Sequence, residues 1–215
     1  MGVQFCFEDS QATELQNRVA KAWAKFGIYR SELTDKYYDL PKRLLLFATV
    51  IQPTFLYGCV NWTLTRDMEC KIRTTQRKMV RAIIGVRRKT ENDILEDYVE
   101  WMTRSTRIAE ETMHNNSIPL WVQEVHRRRF DWAGTVARRT DGRWTHALLN
   151  WSATGRRARG RPRLRWTDNL NKFFHASGID QREGGRIDNS FWIALAADEK
   201  SWAELRSDFE SFVCP

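Results

Sequence analysis

Apolar residues recur at helical spacing along most of the chain. Leu15, Val19, Ala22 and Phe26 are separated by four, three and four positions, so they lie on one face of a helix. Comparable patterns predict helices at about residues 10–29, 41–51, 66–84, 93–113, 120–139, 144–151, 166–173 and 192–212. Strand-like alternation is confined to residues 3–7. The fold class is therefore predicted to be mainly α.

Proline, glycine and polar residues mark where these helices begin and end. Pro41 suits the first turn of the second helix, and Gly85 suits a stop at the carboxyl end of the third. Thr90 and Asp93 are spaced like a capping box, which predicts that the fourth helix opens there.

Residues 44–65 form an uncharged run of 22 residues, which is long enough to span a bilayer as a helix. Gln52, Pro53, Gly58 and Asn61 interrupt the run, and Pro53 removes a backbone donor in its middle. A buried helix with a break at Pro53 is therefore favoured over a membrane span, and no membrane is expected among the partners.

One segment, residues 152–165, shows no helical periodicity and is rich in arginine. It divides the chain into a helical, bundle-like body at residues 1–151, an extended linker at residues 152–165 and a small helical tail at residues 166–215. Gly160 and Pro162 disfavour a helix in the linker, and six like charges repel one another. The arginines of the linker are Arg156, Arg157, Arg159, Arg161, Arg163 and Arg165.

The positive charge of the chain is concentrated around this linker. The net charge is +8 over 215 residues. Residues 126–165 carry twelve arginines against Asp131 and Asp141, a balance of +10, so the remaining residues sum to −2. A localised cationic segment favours a polyanionic partner over a generally basic surface.

An extended arginine ribbon can neutralise the closely spaced phosphates of a nucleic acid. Arg159, Gly160, Arg161 and Pro162 also form the core of the AT-hook pattern, in which arginines enter a narrow A·T minor groove. Nucleic-acid contact is the favoured interpretation of the ribbon. A solvated linker and a nuclear-targeting patch remain the alternatives.

Helix 120–139 adds three consecutive arginines, Arg127, Arg128 and Arg129. Consecutive residues spread around a helix, so at least one of them must project outward. These arginines are interpreted either as a phosphate-binding face of the helix or as a solvated amphipathic face. Four tryptophans in or beside the basic segment can stack on bases, although their helical spacing favours core packing: Trp132, Trp144, Trp151 and Trp166.

The remaining candidate chemistry is sparse. The four cysteines form no C-x-x-C motif, and no histidine has zinc-finger spacing, so neither a metal site nor a cofactor is expected. The first thirty residues contain no secretory signal. A nuclear or cytoplasmic location is the resulting expectation.

Three stretches resemble, in order, motifs that follow the palm in reverse transcriptases of non-LTR (LINE-type) retrotransposons. Residues 52–64, QPTFLYGCVNWTL, resemble P-T-L-L-Y-G-x-E-x-W-T-L, and residues 127–136, RRRFDWAGTV, resemble R-R-L-R-W-x-G-H-V. Residues 155–170, GRRARGRPRLRWTDNL, resemble G-R-R-x-R-G-R-P-x-x-R-W-x-D-x-L. The resemblance covers about residues 14–174 and extends to residues 192–202. Val60 and Thr135 depart from the usual glutamate and the frequent histidine of the family.

The resemblance implies a helical thumb, which grips a template–primer duplex, followed by a basic connector. RNA, DNA or an RNA–DNA hybrid is then the expected partner, together with a palm-containing polypeptide. Tyr57, Trp62, Trp132 and Trp166 match packing positions. The expected nucleic-acid-binding residues are Arg128, Arg129, Arg156, Arg157, Arg159, Gly160, Arg161, Pro162, Arg163 and Arg165.

Polymerase chemistry needs carboxylates that hold two metal ions, and the family supplies them through an aromatic-x-Asp-Asp hairpin in the palm. The chain has no consecutive aspartates. Glu96 and Asp97 are better interpreted as a solvated helical face. A non-catalytic nucleic-acid-binding fragment is therefore the favoured hypothesis. The alternatives are part of an active reverse transcriptase whose palm lies on a longer polyprotein, and a decayed remnant without activity.

Overall fold

A computed structural model describes residues 10–91, 94–142, 144–150, 164–179 and 189–213. The α-helices are α1 Ser10–Ile28, α2 Arg30–Thr34, α3 Leu40–Leu46, α4 Gln52–Phe55, α5 Arg66–Ile84, α6 Tyr98–Asn115, α7 Trp121–Ala137, α8 Trp144–Asn150, α9 Asp168–Ala176, α10 Ser190–Leu195, α11 Glu199–Glu204 and α12 Arg206–Val213. A π-helical turn spans Phe47–Ile51 and a 3₁₀ turn spans Cys59–Asn61. The predicted mainly α fold is confirmed. The strand-like alternation at residues 3–7 lies outside the described residues.

The chain packs as two compact units. The first comprises Met1–Gly58 and Arg66–Glu124, and the second comprises Cys59–Thr65 and Val125–Pro215. The boundary falls inside α7, whereas the sequence pattern placed it at residues 152–165. The difference arises because Phe130 and Ala133 of α7 share one core with residues from α9 to α12. Compact packing units need not fold independently, so the predicted domain division stays a prediction.

Pro53 does not break the helix in the first unit. The helix widens instead into the π-helical turn Phe47–Ile51, and α4 continues through Pro53 to Phe55. Proline has no N–H to donate to the carbonyl four residues earlier, and its ring crowds that carbonyl. A single π-helical turn accommodates such a mismatch. Among the described residues, no helix is both long enough and apolar enough to cross a membrane.

Trp121 is fully buried in the first unit. Its ring stacks on both Phe47 and Phe55, with centroid distances of 5.5 and 4.2 Å. The side-chain amide of Gln76 in α5 accepts from the Trp121 N–H and donates to the Pro119 carbonyl, both at 2.9 Å. The buried amide thereby satisfies backbone groups at the start of α7, where a helix leaves its N–H groups without internal partners.

The predicted capping box at Thr90 is wrong. Thr90–Glu91 (β1) pairs antiparallel with Ile94–Leu95 (β2), and α6 begins only at Tyr98. The N-cap is Asp97, whose carboxylate accepts from the Val99 and Glu100 N–H groups. These bonds, the one from Val99 above all, hold the pKa of Asp97 below its ordinary value.

Glu96 does not lie on a helical face either. Its carboxylate accepts from Arg104 Nε at 2.8 Å and Arg104 Nη2 at 2.6 Å, and also from the Lys89 N–H. The hydrogen bonds from Arg104, followed by the one from Lys89, lower the pKa of Glu96 to about 2. The β1–β2 hairpin is therefore tied to α6 by charge-assisted hydrogen bonds.

The second unit is built around aromatic side chains from its helices. The single helix predicted at residues 192–212 is instead three short helices, α10, α11 and α12. Asp198 interrupts it, because its carboxylate accepts from the Lys200 and Ser201 N–H groups and so starts a new helix. The buried residues of this core are Phe130, Ala133, Leu170, Phe173, Phe174, Trp192, Ala196, Trp202 and Phe209.

Candidate nucleic-acid interface

Trp166 joins the three sequence motifs within the second unit. Its indole Nε1 donates to the carbonyl oxygen of Val60 in the first motif at 2.6 Å. Its own carbonyl accepts from Arg129 Nη2 of the second motif at 2.7 Å, and the Arg129 guanidinium lies 5.5 Å from the ring centroid. Trp166 therefore packs, as the resemblance implied, and fixes the end of the arginine-rich segment against α7.

The residue before this tryptophan is exposed. Arg165 donates its backbone N–H to Asp168 Oδ2 at 2.7 Å, and the Asp168 N–H donates to the Arg165 carbonyl at 3.2 Å. This reciprocal pair holds a tight turn at the start of α9 with its own local hydrogen bonds. The Arg165 side chain points to solvent, where a phosphate group can reach it.

The three consecutive arginines of α7 have different environments. Arg127 is exposed, Arg128 is half-buried and Arg129 is 5% exposed. The prediction that at least one projects outward is confirmed. Arg129 faces Trp166 inside the unit, which favours a packing role for it, whereas the side chain of Arg127 is exposed. Arg127 was not among the expected binding residues, and its sequence position alone could not distinguish it from its neighbours.

Residues of the basic segment form ion pairs with other residues of the second unit. Arg138 lies 3.7 Å from Glu199 and also donates to the Ala196 carbonyl at 3.1 Å. Asp131, one of the two acids of the segment, is paired with Arg206 at 2.8 Å. Exposed ion pairs of this kind contribute little to stability, but Glu199 reduces the positive charge that Arg138 presents outward.

The expected aromatic residues also separate by exposure. Trp62 is 2% exposed, whereas Tyr57 is 49% exposed with the Arg18 guanidinium 4.8 Å from its ring centroid. Trp132 is half-buried and carries the Arg139 guanidinium 5.2 Å from its ring centroid. Trp144 is 82% exposed. Arg139 was not predicted, and it lies beyond the end of α7 at Ala137, so helical spacing from Trp132 could not have identified this contact.

Gly134 of the second motif is the point where Trp202 approaches α7. A Cβ atom at Gly134 would meet Trp202 Nε1 at 2.5 Å. Trp202 Nε1 donates to the Phe130 carbonyl at 3.1 Å, and its ring stacks on Phe130 with centroids 4.3 Å apart. The motif glycine therefore has a packing role, because only a residue without a side chain leaves room for the indole.

The core of the arginine ribbon lies outside the described residues. The expected binding residues outside the described part are Arg156, Arg157, Arg159, Gly160, Arg161, Pro162 and Arg163.

Within the described part of the chain, no three histidine, cysteine, aspartate or glutamate side chains cluster as metal ligands.

The chain is similar to an uncharacterized transposon-derived protein of Caenorhabditis elegans. The two are 28% identical over 209 residues, which cover 94% of this chain and 67% of the relative. No family model and no solved structure matches the chain. The similarity supports a transposon origin, whereas the finer assignment to a reverse-transcriptase thumb and connector stays a prediction.

Proposed function

We propose that the chain is a non-catalytic nucleic-acid-binding module that resembles the thumb and connector of a LINE-type reverse transcriptase. RNA, DNA or an RNA–DNA hybrid binds it through phosphates along residues 126–165. The transposon-derived relative supports the origin that this function requires. The convergence of the three motifs on Trp166 supports their action as one structural unit.

The observation that carries the proposal is the balance of +10 over residues 126–165 with exposed arginines near both ends of that segment, Arg127 and Arg165. Phosphate binding releases condensed counterions, so its affinity falls with salt concentration. Arginine suits this role because its planar guanidinium donates in pairs to phosphate oxygens.

A salt-titrated binding series with RNA, DNA and hybrid duplexes of one sequence tests the proposal. If about five phosphates are engaged, the logarithm of the association constant should fall against the logarithm of salt concentration with a slope of about −3.5 to −4.5. A slope near zero on all three duplexes would overturn the proposal. It would favour the alternative of a folded remnant without activity.

Matched variants locate the binding surface. Arg127→Gln with Arg165→Gln removes two exposed positive charges from the basic segment, and the slope should become less steep by about 1.4–1.8. Lys71→Gln with Lys78→Gln removes two exposed charges from α5 of the first unit. This control pair should leave the slope unchanged. Equal effects of the two pairs would contradict a localised interface.

A primer-extension assay with the purified chain distinguishes a non-catalytic binding module from a complete polymerase. Because the sequence lacks the Asp-Asp pair of the family's palm, we expect no extension of a primed RNA template with Mg²⁺ and nucleotides. The assay is repeated after adding a palm-containing polypeptide from the same transposon. Extension that occurs only in the mixture would favour the alternative in which the chain is part of an active enzyme.

A further inference from the structure

Trp144 differs from the other tryptophans that the structure describes in or beside the basic segment. Trp166 is held by the Val60 carbonyl and Arg129, and one face of Trp132 is covered by Arg139. Trp144 is 82% exposed, although an indole ring is among the largest apolar groups of a protein. Packing therefore does not explain this tryptophan.

The exposed indole stands on a helix that is fixed from its other side. Leu149 of α8 packs against the aromatic core of the second unit, and its carbonyl accepts from Asn189 Nδ2 at 2.5 Å. Leu148 follows Trp144 by four residues and is 59% exposed, so the two side chains lie on one helical face. The anchored helix presents this apolar face to solvent.

The charge of the sequence on either side of α8 indicates which partner covers this face. Trp144 lies near the middle of residues 126–165, whose balance is +10 and whose acids are Asp131 and Asp141 alone. In the sequence, α8 is therefore flanked on both sides by positive charge, which favours an anionic partner over an apolar protein surface. A single-stranded nucleic acid combines phosphates, which the arginines attract, with unpaired bases that stack on aromatic rings.

We infer that Trp144 is a stacking platform for an unpaired base, so that the basic segment takes single-stranded nucleic acid or a single-stranded end. The inference rests on the proposed function and specifies its substrate class. A base inside a duplex is already stacked on both faces and offers none to the indole. Trp144 therefore increases the affinity for single strands but not for duplexes, whereas the arginines bind the phosphates of both.

The test compares one fluorescently labelled DNA strand with the blunt duplex that it forms with its complement. Trp144→Leu should weaken single-strand binding by about 5- to 100-fold and leave duplex binding and both salt slopes nearly unchanged. Trp144→Phe keeps an aromatic ring and should retain most of the affinity. Tyr37→Leu is the matched control, because Tyr37 is 98% exposed in the first unit. It should change neither affinity.

The two proposals fail in different ways. If the unsubstituted chain shows no salt-dependent binding to either ligand, the proposed function fails and the inference fails with it. If the chain binds both ligands with the expected slope but Trp144→Leu leaves single-strand affinity unchanged, the inference alone is overturned. Equal losses on strand and duplex would also overturn it, since they would indicate a contact that does not depend on an unpaired base.

Discussion

The indole of Trp166 donates a hydrogen bond to the main-chain carbonyl of Val60, 106 positions earlier in the chain. The LINE-type pattern usually has glutamate where Val60 stands. Because the contact uses the carbonyl oxygen of the backbone, a valine at this position preserves it. The departure from the pattern therefore leaves the junction between the first and third motifs intact.

Trp166→Phe should destabilise the second unit. The substitution removes the N–H donor, leaves the Val60 carbonyl without this partner and reduces the ring area beneath Arg129. We expect a loss of about 1–3 kcal/mol in the free energy of unfolding, measured by urea denaturation. Trp144→Phe is the control, since that ring is exposed, and it should cost far less. Equal costs would contradict the structural role of the Trp166 bond.

Gly134→Ala should also destabilise the chain, although alanine is the better helix former. Its Cβ would lie 2.5 Å from Trp202 Nε1, and overpacking of this kind costs about 1–3 kcal/mol. That cost exceeds the gain of about 0.5–1 kcal/mol from replacing a glycine within a helix. Gly27→Ala in α1 meets nothing within 4 Å, so it should stabilise slightly. Thermal unfolding of the two variants should therefore shift in opposite directions.

Periodicity predicted the long helices well, because each has a continuous apolar face. The range 66–84 predicted for α5 agrees with the observed helix. It failed at residues 90–97, where the spacing of Thr90 and Asp93 predicted a helix start but the chain forms the β1–β2 hairpin. The hydrogen bonds between Glu96 and Arg104 that hold the hairpin to α6 cannot be predicted from local spacing. It also merged α10, α11 and α12, since the apolar spacing continues through the cap at Asp198.

From the sequence, the candidate site could be predicted only as a segment with concentrated positive charge. Composition located the cationic segment, and the number of residues per turn required an outward arginine in α7. The spacing could not assign which arginine faces the core, because Arg127, Arg128 and Arg129 are chemically identical. The exposure of Trp144 could not be predicted either, because Trp144, Leu148 and Trp151 have the spacing of a packed helical face.

The buried ion pair of α1 should be sensitive to the loss of one partner. Arg18 Nε lies 2.6 Å from Glu14 Oε1, and both side chains are almost fully buried. Arg18→Met leaves the Glu14 carboxylate buried without its cation, which should cost about 3–5 kcal/mol. Adding Glu14→Leu should recover much of that loss. Chemical denaturation of the single and double variants measures both effects, and a double variant as unstable as Arg18→Met would contradict this account.

The β1–β2 hairpin should open in acid. Hydrogen bonds from Arg104 hold the pKa of Glu96 at about 2, below its ordinary value of 4.5. A carboxylate whose pKa is lowered by folding stabilises the folded hairpin fully above pH 4.5. This stabilisation is lost as the pH falls through about 2. Hydrogen exchange at the Glu96 N–H, which donates to the Lys89 carbonyl, should accelerate across that window relative to its intrinsic rate. In Glu96→Gln this pH dependence should be absent, and its persistence would exclude the carboxylate as the cause.

Neighbouring arginines of α7 should separate binding from stability. Arg128 is half-buried, so Arg128→Gln should make the salt slope less steep by about 0.7–0.9 if Arg128 contacts a phosphate, with little change in unfolding. Arg129 is 5% exposed and donates to the Trp166 carbonyl. Arg129→Gln should therefore cost about 1–3 kcal/mol in stability and leave the slope nearly unchanged while the chain is folded. Slope and unfolding free energy are measured on both variants at one temperature. A reduced slope in Arg129→Gln with unaltered stability would restore Arg129 to the phosphate-contacting set that the motif resemblance implied.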